Sequence, residues 1–107
     1  MGYIRHHAII VTSWDKDLLV KAYFKAFEYN NQITPITDGV INGYCSFLIV
    51  PDGSKEGWPE SDDGDISRKK FIEWLELQKY DDGSSSLSYV EIQFGDDNGV
   101  TKIISHN

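Results

Sequence analysis

Two adjacent histidines, His6 and His7, lie in an apolar run and are the first residues whose type suits acid–base or ligand chemistry. Adjacent residues of a strand point to opposite faces of the sheet, so the two imidazoles cannot hold one metal ion together. One histidine is therefore expected near the core and the other on an open face. One interpretation puts Arg5 and His7 on that open face as donors to a phosphate or carboxylate. The alternative is a hydrogen-bonded strand histidine with no role in binding.

The acidic segment from Asp52 to Asp65 holds the next candidates. Its Gly53–Lys55 stretch lacks the spacing of a phosphate-binding loop, and its acidic residues lack the alternate-residue ligands of an EF-hand. A solvated turn and a helix cap at Asp65 explain most of these acids. Lys55 and Trp58 remain displayed, and an exposed tryptophan is expected to cover the core, seal an oligomer interface or stack on a ligand ring.

Three further residues complete the predicted ligand-binding set. Arg68 is expected in the first turn of a helix that begins near Asp65, where a cation opposes the helix dipole and so serves another purpose, such as pairing the acidic loop or meeting an anion. Trp14 and Tyr44 are candidates for stacking on a base. The full predicted set is Arg5, His7, Trp14, Tyr44, Lys55, Trp58 and Arg68.

The sequence offers no catalytic, metal-binding or cofactor-binding motif. Cys45 lies in an apolar strand, where a thiol behaves as a small hydrophobic group. His106 stands one residue from the end of the sequence, so the two separated His-x-Ser/Thr motifs of a two-histidine phosphoesterase are missing. We therefore expect no cofactor and no metal, and binding is favoured over catalysis.

Hydrophobic periodicity and turn residues predict the elements that must position these side chains. The order is β-α-(β)β-α-β-β, which predicts an α+β fold. We expect a two-layer α/β sandwich, ferredoxin-like in outline, with a mixed sheet of four to five strands and two helices on one face. The predicted elements are a strand at 3–12, a helix from Ser13 or Asp15 to about 30, an edge strand at 33–37, a strand at 40–50 beside the first strand, a loop at 51–64, a helix at 66–79, and a hairpin of strands 89–94 and 100–105 with its turn at 95–99.

The inner faces of the two helices follow from their apolar spacing. In the first helix the stripe comprises Leu19, Ala22, Tyr23 and Ala26, widened by Leu18 and Phe27. In the second helix it comprises Phe71, Trp74 and Leu75.

Length and charge limit the class of protein. The 107 residues fit one domain, 1–107, and the net charge of −7 disfavours nonspecific binding to duplex nucleic acid or to an anionic membrane. The first residues are too polar for a signal peptide, no apolar run approaches a membrane span, and one cysteine gives no internal disulfide. We expect a cytoplasmic protein of a bacterium or of a phage-infected host cell. Because the core of so small a domain is modest, we expect a homo-oligomer that buries more surface.

Four segments resemble small phage- or prophage-encoded proteins of uncharacterised type: Arg5–Trp14, Asn42–Tyr44, Pro51–Trp58 and Val90–Asp97. The resemblance spans most of the chain but includes no catalytic motif. It implies a host-takeover or anti-defence factor, a class in which some proteins sequester nucleotide immune signals between subunits.

Three hypotheses follow. The first is a noncatalytic binding protein that sequesters a small anionic or nucleotide-like ligand. The second is an acidic interaction module that inhibits a basic partner such as a nuclease or toxin. The third is a small hydrolase that uses His7 with a carboxylate held in hydrogen-bond reach.

Overall fold

A computed structural model describes residues 3–95 and 99–107 and confirms the predicted α+β class. The described residues form two helices and a five-stranded sheet. The elements are β1 (His6–Ser13), α1 (Lys16–Glu28), β2 (Thr37–Asp38), β3 (Cys45–Ile49), α2 (Pro59–Glu76), β4 (Leu87–Phe94) and β5 (Lys102–His106). The predicted turn at 95–99 includes residues 96–98, which lie outside the described residues.

The sheet has the order β2-β3-β1-β4-β5, and all four strand pairs are antiparallel. The prediction of a mixed sheet is therefore wrong. Strands β3 and β4 run in the same direction on either side of β1, and α2 connects them, which is a split β-α-β unit. The ferredoxin-like outline thus holds, with β5 added at one edge. β3 lies beside β1, as predicted.

Both helices cover one face of the sheet, and a single core lies between the two layers. Alternation along the strands sends every second side chain towards the helices. In β1 these are Ile9 and Val11, and in β3 they are Phe47 and Ile49. The buried core residues of the helices are Leu19, Ala22, Ala26, Phe71 and Leu75.

Helix α1 follows its sequence pattern closely. Asp15 is the N-cap, and its carboxylate accepts a hydrogen bond from the Leu18 amide at 3.1 Å. Leu19, Ala22 and Ala26 are buried as predicted, but Phe27 is exposed and does not belong to the inner stripe.

Helix α2 begins seven residues earlier than predicted, at Pro59 instead of Ile66. Trp58 is its N-cap, so the prediction of a cap at Asp65 is wrong, and the connecting loop ends at Trp58. Proline is favoured at the first helical position because its φ is preset and its missing N–H would be unpaired there anyway. Gly64, which suggested a loop, lies inside the helix.

Packing explains why a glycine is placed within α2. A Cβ built on Gly64 would lie 3.0 Å from the Asp52 carboxylate and 3.1 Å from Nη1 of Arg68. Both contacts are tighter than ordinary van der Waals distances, so Gly64 lets these two charged groups approach the helix backbone.

Strand β3, predicted at 40–50, is shorter than predicted. β3 begins at Cys45, because Val40, Asn42 and Gly43 have positive φ angles of 78°, 57° and 72° and form a turn. An edge strand is present as predicted, but it lies later than the predicted 33–37: β2 is Thr37–Asp38, and Ile33 forms only an isolated bridge with Ile49.

Tyr89 gives a pH-dependent prediction. Its side chain faces the helices, and its hydroxyl donates a hydrogen bond to Glu76. Burial, followed by that hydrogen bond, raises the pKa of Tyr89 to about 12. A raised pKa in the folded state contributes stability that is fully present below pH 10, near the unfolded value, and is lost as the pH rises towards 12.

We therefore expect the free energy of unfolding to fall more steeply between pH 10 and 12 in the wild-type protein than in Tyr89→Phe. Urea unfolding at a series of pH values measures both slopes. The difference between the two slopes isolates the contribution of the Tyr89 hydroxyl. Equal slopes would contradict the prediction.

Candidate functional site

The loop after β3, the first residues of β1 and the last residues of β4 meet at one end of the sheet. Ile4 pairs with Lys55, and the Glu56 amide donates to the Tyr3 carbonyl oxygen at 2.7 Å. On the other side of β1, His7 pairs with Gln93 of β4. Because α2 starts directly after this loop, four chain segments surround this end of the sheet.

His7 lies on the helix-covered face of β1, which corrects the prediction of an open-face position. Its Nε2 is 2.7 Å from Oε1 of Glu56, and the two side chains are 13% and 23% exposed. A carboxylate can only accept, so Nε2 carries the proton and Nδ1 is the basic nitrogen. Ser61, buried in the first turn of α2, donates to the other oxygen of Glu56 at 3.4 Å.

Arg5 also lies on the helix side of the sheet, because it is two residues from His7 in the same extended segment. Its Nη1 donates to Oε1 of Gln93 at 3.1 Å, and Nε2 of Gln93 is 3.5 Å from Nδ1 of His7. Gln93 thus joins the guanidinium of Arg5 to the imidazole of His7. The predicted pair of open-face donors is in fact part of a polar network at the edge of the core.

Arg68 is the most buried charged residue of this region. It was predicted in the first turn of its helix but lies in the third turn of α2, where its side chain is only 6% exposed. It donates to Asp65, whose side chain is 54% exposed, and its Nε is 4.0 Å from Oε2 of the 15% exposed Glu91. Ser105 of β5 donates to the other Glu91 oxygen at 3.0 Å. Arg68 therefore lies between one exposed and one half-buried carboxylate.

Asp52 extends the charged network behind Gly64. Its carboxylate accepts hydrogen bonds from the Ser54 amide at 2.9 Å and the Ser54 hydroxyl at 2.6 Å. Partial burial acts to raise the pKa of Asp52, but these two hydrogen bonds, with the nearby Arg68 and His7, hold it below its ordinary value. Asp52 is therefore ionised at neutral pH.

A cleft of about 390 Å³ opens between α2 and the β4–β5 edge, directly over Arg68. Ile72 and Ile104 form its apolar part. Its polar lining comprises His7, Asp65, Arg68, Lys69, Glu73, Glu91, Gln93 and Ser105. Both signs of charge are present, so the cleft suits a ligand with a charged group and an apolar or planar part.

Lys55 and Trp58 lie beside this region but face away from the cleft. Lys55 shares a sheet face with its pairing partner Ile4, opposite to the face of Arg5. The Lys55 ammonium stands 5.5 Å from the centre of the Trp58 ring, which is a cation–π contact. The two residues are paired with each other and do not line the cleft.

Trp14 and Tyr44 lie at the opposite end of the sheet. The register pairs Ser13 with Cys45, so the two exposed aromatic side chains are neighbours there. Seven residues of extended strand separate Trp14 from His7, which is roughly 23 Å. The structure therefore brings Arg5, His7 and Arg68 together, places the Lys55–Trp58 pair beside them, and separates Trp14 and Tyr44 from all five.

Sequence reasoning missed Glu56, Gln93, Glu91 and Ser105. A signal for two of them existed: Tyr89, Glu91 and Gln93 alternate along β4 on the face whose earlier positions are buried. Polar residues continuing an inward-facing series indicate a polar end to the core. Glu56 carried no such signal, because only the fold brings its loop against β1.

The described residues limit the chemistry of this region. Within residues 3–95 and 99–107, no three His, Cys, Asp or Glu side chains lie close enough to hold a metal ion. The recorded partners of His7 are a carboxylate and an amide, not a hydroxyl or thiol that it could activate as a nucleophile.

No family model, no curated protein and no solved structure matches this chain. Neither of the two described helices combines the length and the apolar character needed to cross a membrane. What the site does must therefore be argued from its geometry.

Proposed function

We propose that this protein is a noncatalytic binding protein that sequesters a small anionic, nucleotide-like ligand in the cleft between α2 and the β4–β5 edge. The observation that carries the proposal is Arg68, a buried guanidinium at the base of a cleft in a chain of net charge −7. A guanidinium binds phosphate and carboxylate groups through paired hydrogen bonds. We expect this activity in the cytoplasm of a bacterium or phage-infected cell.

Asp65 marks the position that the anionic group of the ligand would take. Its carboxylate accepts a hydrogen bond from Arg68 on the more exposed side, whereas the Glu91 carboxylate stands 4.0 Å from the Arg68 Nε on the less exposed side. Asp65 is 54% exposed, so its carboxylate can rotate into solvent and be hydrated there, and the anionic group of the ligand would take its place on Arg68. Glu91 stays in place, holds the guanidinium in orientation and keeps its charge compensated in the absence of ligand.

The rest of the cleft suits the remainder of a nucleotide. Ile72 and Ile104 offer apolar contact to a planar ring, while Gln93 and Ser105 offer hydrogen bonds to ring edges or hydroxyl groups. Lys69, exposed at the rim, adds a second cation for a ligand with more than one phosphate.

Equilibrium binding tests this function directly. Isothermal titration of the protein with inorganic phosphate, AMP, ADP-ribose and a cyclic dinucleotide should reveal saturable binding of at least one organic phosphate. Mass spectrometry of the recovered ligand should find it unchanged. Recovery of a cleaved product would refute sequestration, and absence of binding by the whole panel would remove the hypothesis.

If the ligand replaces the Asp65 carboxylate on Arg68, removing that carboxylate should raise the affinity for the ligand. Asp65→Asn removes an internal carboxylate that competes with the ligand for Arg68 and lowers the local negative charge. We expect roughly 2- to 5-fold tighter binding of the same organic phosphate, which corresponds to about 0.4–1 kcal/mol.

Glu60→Gln is the matched control for this change, since it also neutralises one exposed carboxylate of α2 but does not line the cleft. Its affinity should equal that of the wild-type protein. Weaker binding by Asp65→Asn would contradict the proposal that the ligand takes the place of the Asp65 carboxylate on Arg68.

A second candidate function rests on the 2.7 Å contact between His7 and Glu56. A carboxylate that accepts from one imidazole nitrogen makes the other a better base, as hydrolases require. His7 lines the cleft, so its imidazole could take a proton from a water molecule attacking a bound ester. Loss of a measured turnover in His7→Ala, with a smaller loss in Glu56→Gln, would favour this candidate. Turnover that survives His7→Ala would exclude it.

A further inference from the structure

The hydrogen bonds around His7 can run in only one direction. A guanidinium has no acceptor, so Arg5 fixes the carbonyl oxygen of Gln93 on its own side, at 3.1 Å. The amide nitrogen of Gln93 therefore faces Nδ1 of His7, at 3.5 Å. At the other end of the imidazole, Nε2–H donates to Glu56. The donors thus run in sequence from Arg5 through Gln93 and His7 to the Glu56 carboxylate.

This direction opposes a second proton on the imidazole of His7. A proton on Nδ1 would place one donor against another, because the amide nitrogen of Gln93 also donates. Turning the Gln93 amide over would only move the conflict to Arg5. Gln93 can leave Nδ1 if its amide nitrogen finds another acceptor, and both Gln93 and His7 line the cleft over Arg68. The oxygens of a bound phosphate or carboxylate are such acceptors.

Charged groups on every described element around His7 act on the same proton. They come from β1, from the loop before α2, from α2, from β4 and from β5, where Lys102 pairs with Gln93. These groups are the carboxylates of Asp52, Glu56, Asp65, Glu73 and Glu91 and the cations of Arg5, Arg68, Lys69 and Lys102. Carboxylates favour a cationic imidazole and cations oppose it, and here the two sets nearly balance. An anionic ligand adds negative charge and therefore favours the protonated form.

We propose that the anionic ligand and one proton bind together, with the proton on Nδ1 of His7. In the free protein Gln93 keeps Nδ1 an acceptor. In the complex the Gln93 amide donates to the ligand, Nδ1 takes a proton from the solvent, and the imidazolium becomes a second cation in the cleft beside Arg68. No bond of the ligand is broken. This inference rests on the proposed function and names its regulation: the complex holds one proton more than the free protein, so affinity rises as the pH falls.

Titration calorimetry at pH 6, 7 and 8, in buffers of different ionisation enthalpy, counts the protons taken up with the ligand. Histidine is the side chain that ordinarily changes its charge in this range. We expect the wild-type protein to take up protons on binding ADP-ribose or a cyclic dinucleotide, and to bind roughly 3- to 10-fold more tightly at pH 6 than at pH 8. The phosphates of both compounds keep their charge over this range, so the protons belong to the protein.

His7→Gln retains a donor towards Glu56 but has no group that takes up a proton, so it should lose this pH dependence. His106→Gln is the matched control, because His106 is an exposed histidine that does not line the cleft. Its affinity should vary with pH as that of the wild-type protein does.

The ¹⁵N resonance of His7 Nδ1 reports the same proton in the wild-type protein, so the test stands even if His7→Gln does not fold. At pH 7 the ligand should shift this resonance from that of an unprotonated nitrogen towards that of a protonated one. Equal pH dependence of binding in the wild-type protein and His7→Gln, or an Nδ1 whose protonation does not change on binding, would overturn this inference and leave the proposed function standing. Absence of binding at all three pH values would overturn both.

Discussion

Replacing Arg68 with alanine is expected to lower the free energy of unfolding by roughly 3 kcal/mol and to abolish binding of an organic phosphate in the cleft. The loss of stability has a specific cause: Glu91 is 15% exposed and would be left without its cation in a poorly solvated position. Removing one member of a buried ion pair costs several kcal/mol because the remaining charge is uncompensated. Asp65 would add little, since it can turn into solvent.

Urea unfolding and isothermal titration measure the two effects of this change. Lys69→Ala is the control, because it removes a neighbouring exposed cation and should alter stability by no more than about 0.5 kcal/mol. The double variant Arg68→Ala with Glu91→Gln should recover part of the stability but none of the binding. A single Arg68→Ala variant as stable as the wild-type protein would show that Glu91 does not depend on Arg68.

The second large effect concerns the core that holds the site together. Phe47→Ala is expected to lower the free energy of unfolding by about 3–5 kcal/mol, the range for truncating a buried phenylalanine. Phe47 is 2% exposed, and its ring centre lies 5.8 Å from that of Tyr23 and 6.3 Å from that of Phe71. Its removal would leave a cavity between β3 and both helices.

Phe24→Ala is the natural control, because Phe24 is 62% exposed on the outer face of α1. Its unfolding free energy should stay within about 0.5 kcal/mol of the wild-type value. A loss below 1 kcal/mol for Phe47→Ala would contradict the described packing of the two layers.

Local patterns in the sequence were sufficient to predict the class of fold. Ser13 or Asp15 before an amphipathic stretch predicted the start of α1, and the apolar run ending at Val11 predicted a central strand. These features depend on hydrophobic spacing and capping, which act over a few residues.

The start of α2 and the face of His7 could not be predicted from the same patterns. Gly64 suggested a loop, whereas its true role is to give room to Asp52 and Arg68, which are distant in sequence from each other. The helices cover the face of β1 that carries its odd-numbered residues, so His7 lies on the helix side. The hydrophobic pattern of β1 alone does not predict which of its two faces the helices cover.

The candidate site was predicted only in part for the same reason. Arg5, His7 and Arg68 were selected as isolated cations, but their partners Gln93, Glu56 and Glu91 come from other elements. Because of those partners, each of the three residues belongs to a network of hydrogen bonds and ion pairs and is not an exposed donor. Trp14 and Tyr44 were selected by residue type alone, and their separation from the cleft required the topology.

Nuclear magnetic resonance with ¹⁵N-labelled protein tests most directly the claim that the cleft over Arg68 binds an organic phosphate. The side-chain Nε–H of Arg68 and the side-chain amide of Gln93 report on the cleft, and the indole N–H of Trp14 reports on the far end of the sheet. Titration with ADP-ribose and with a cyclic dinucleotide should shift the first two signals saturably for at least one compound and leave the Trp14 signal in place. Unchanged Arg68 and Gln93 signals with both compounds at millimolar concentration, or a shift at Trp14 alone, would contradict it.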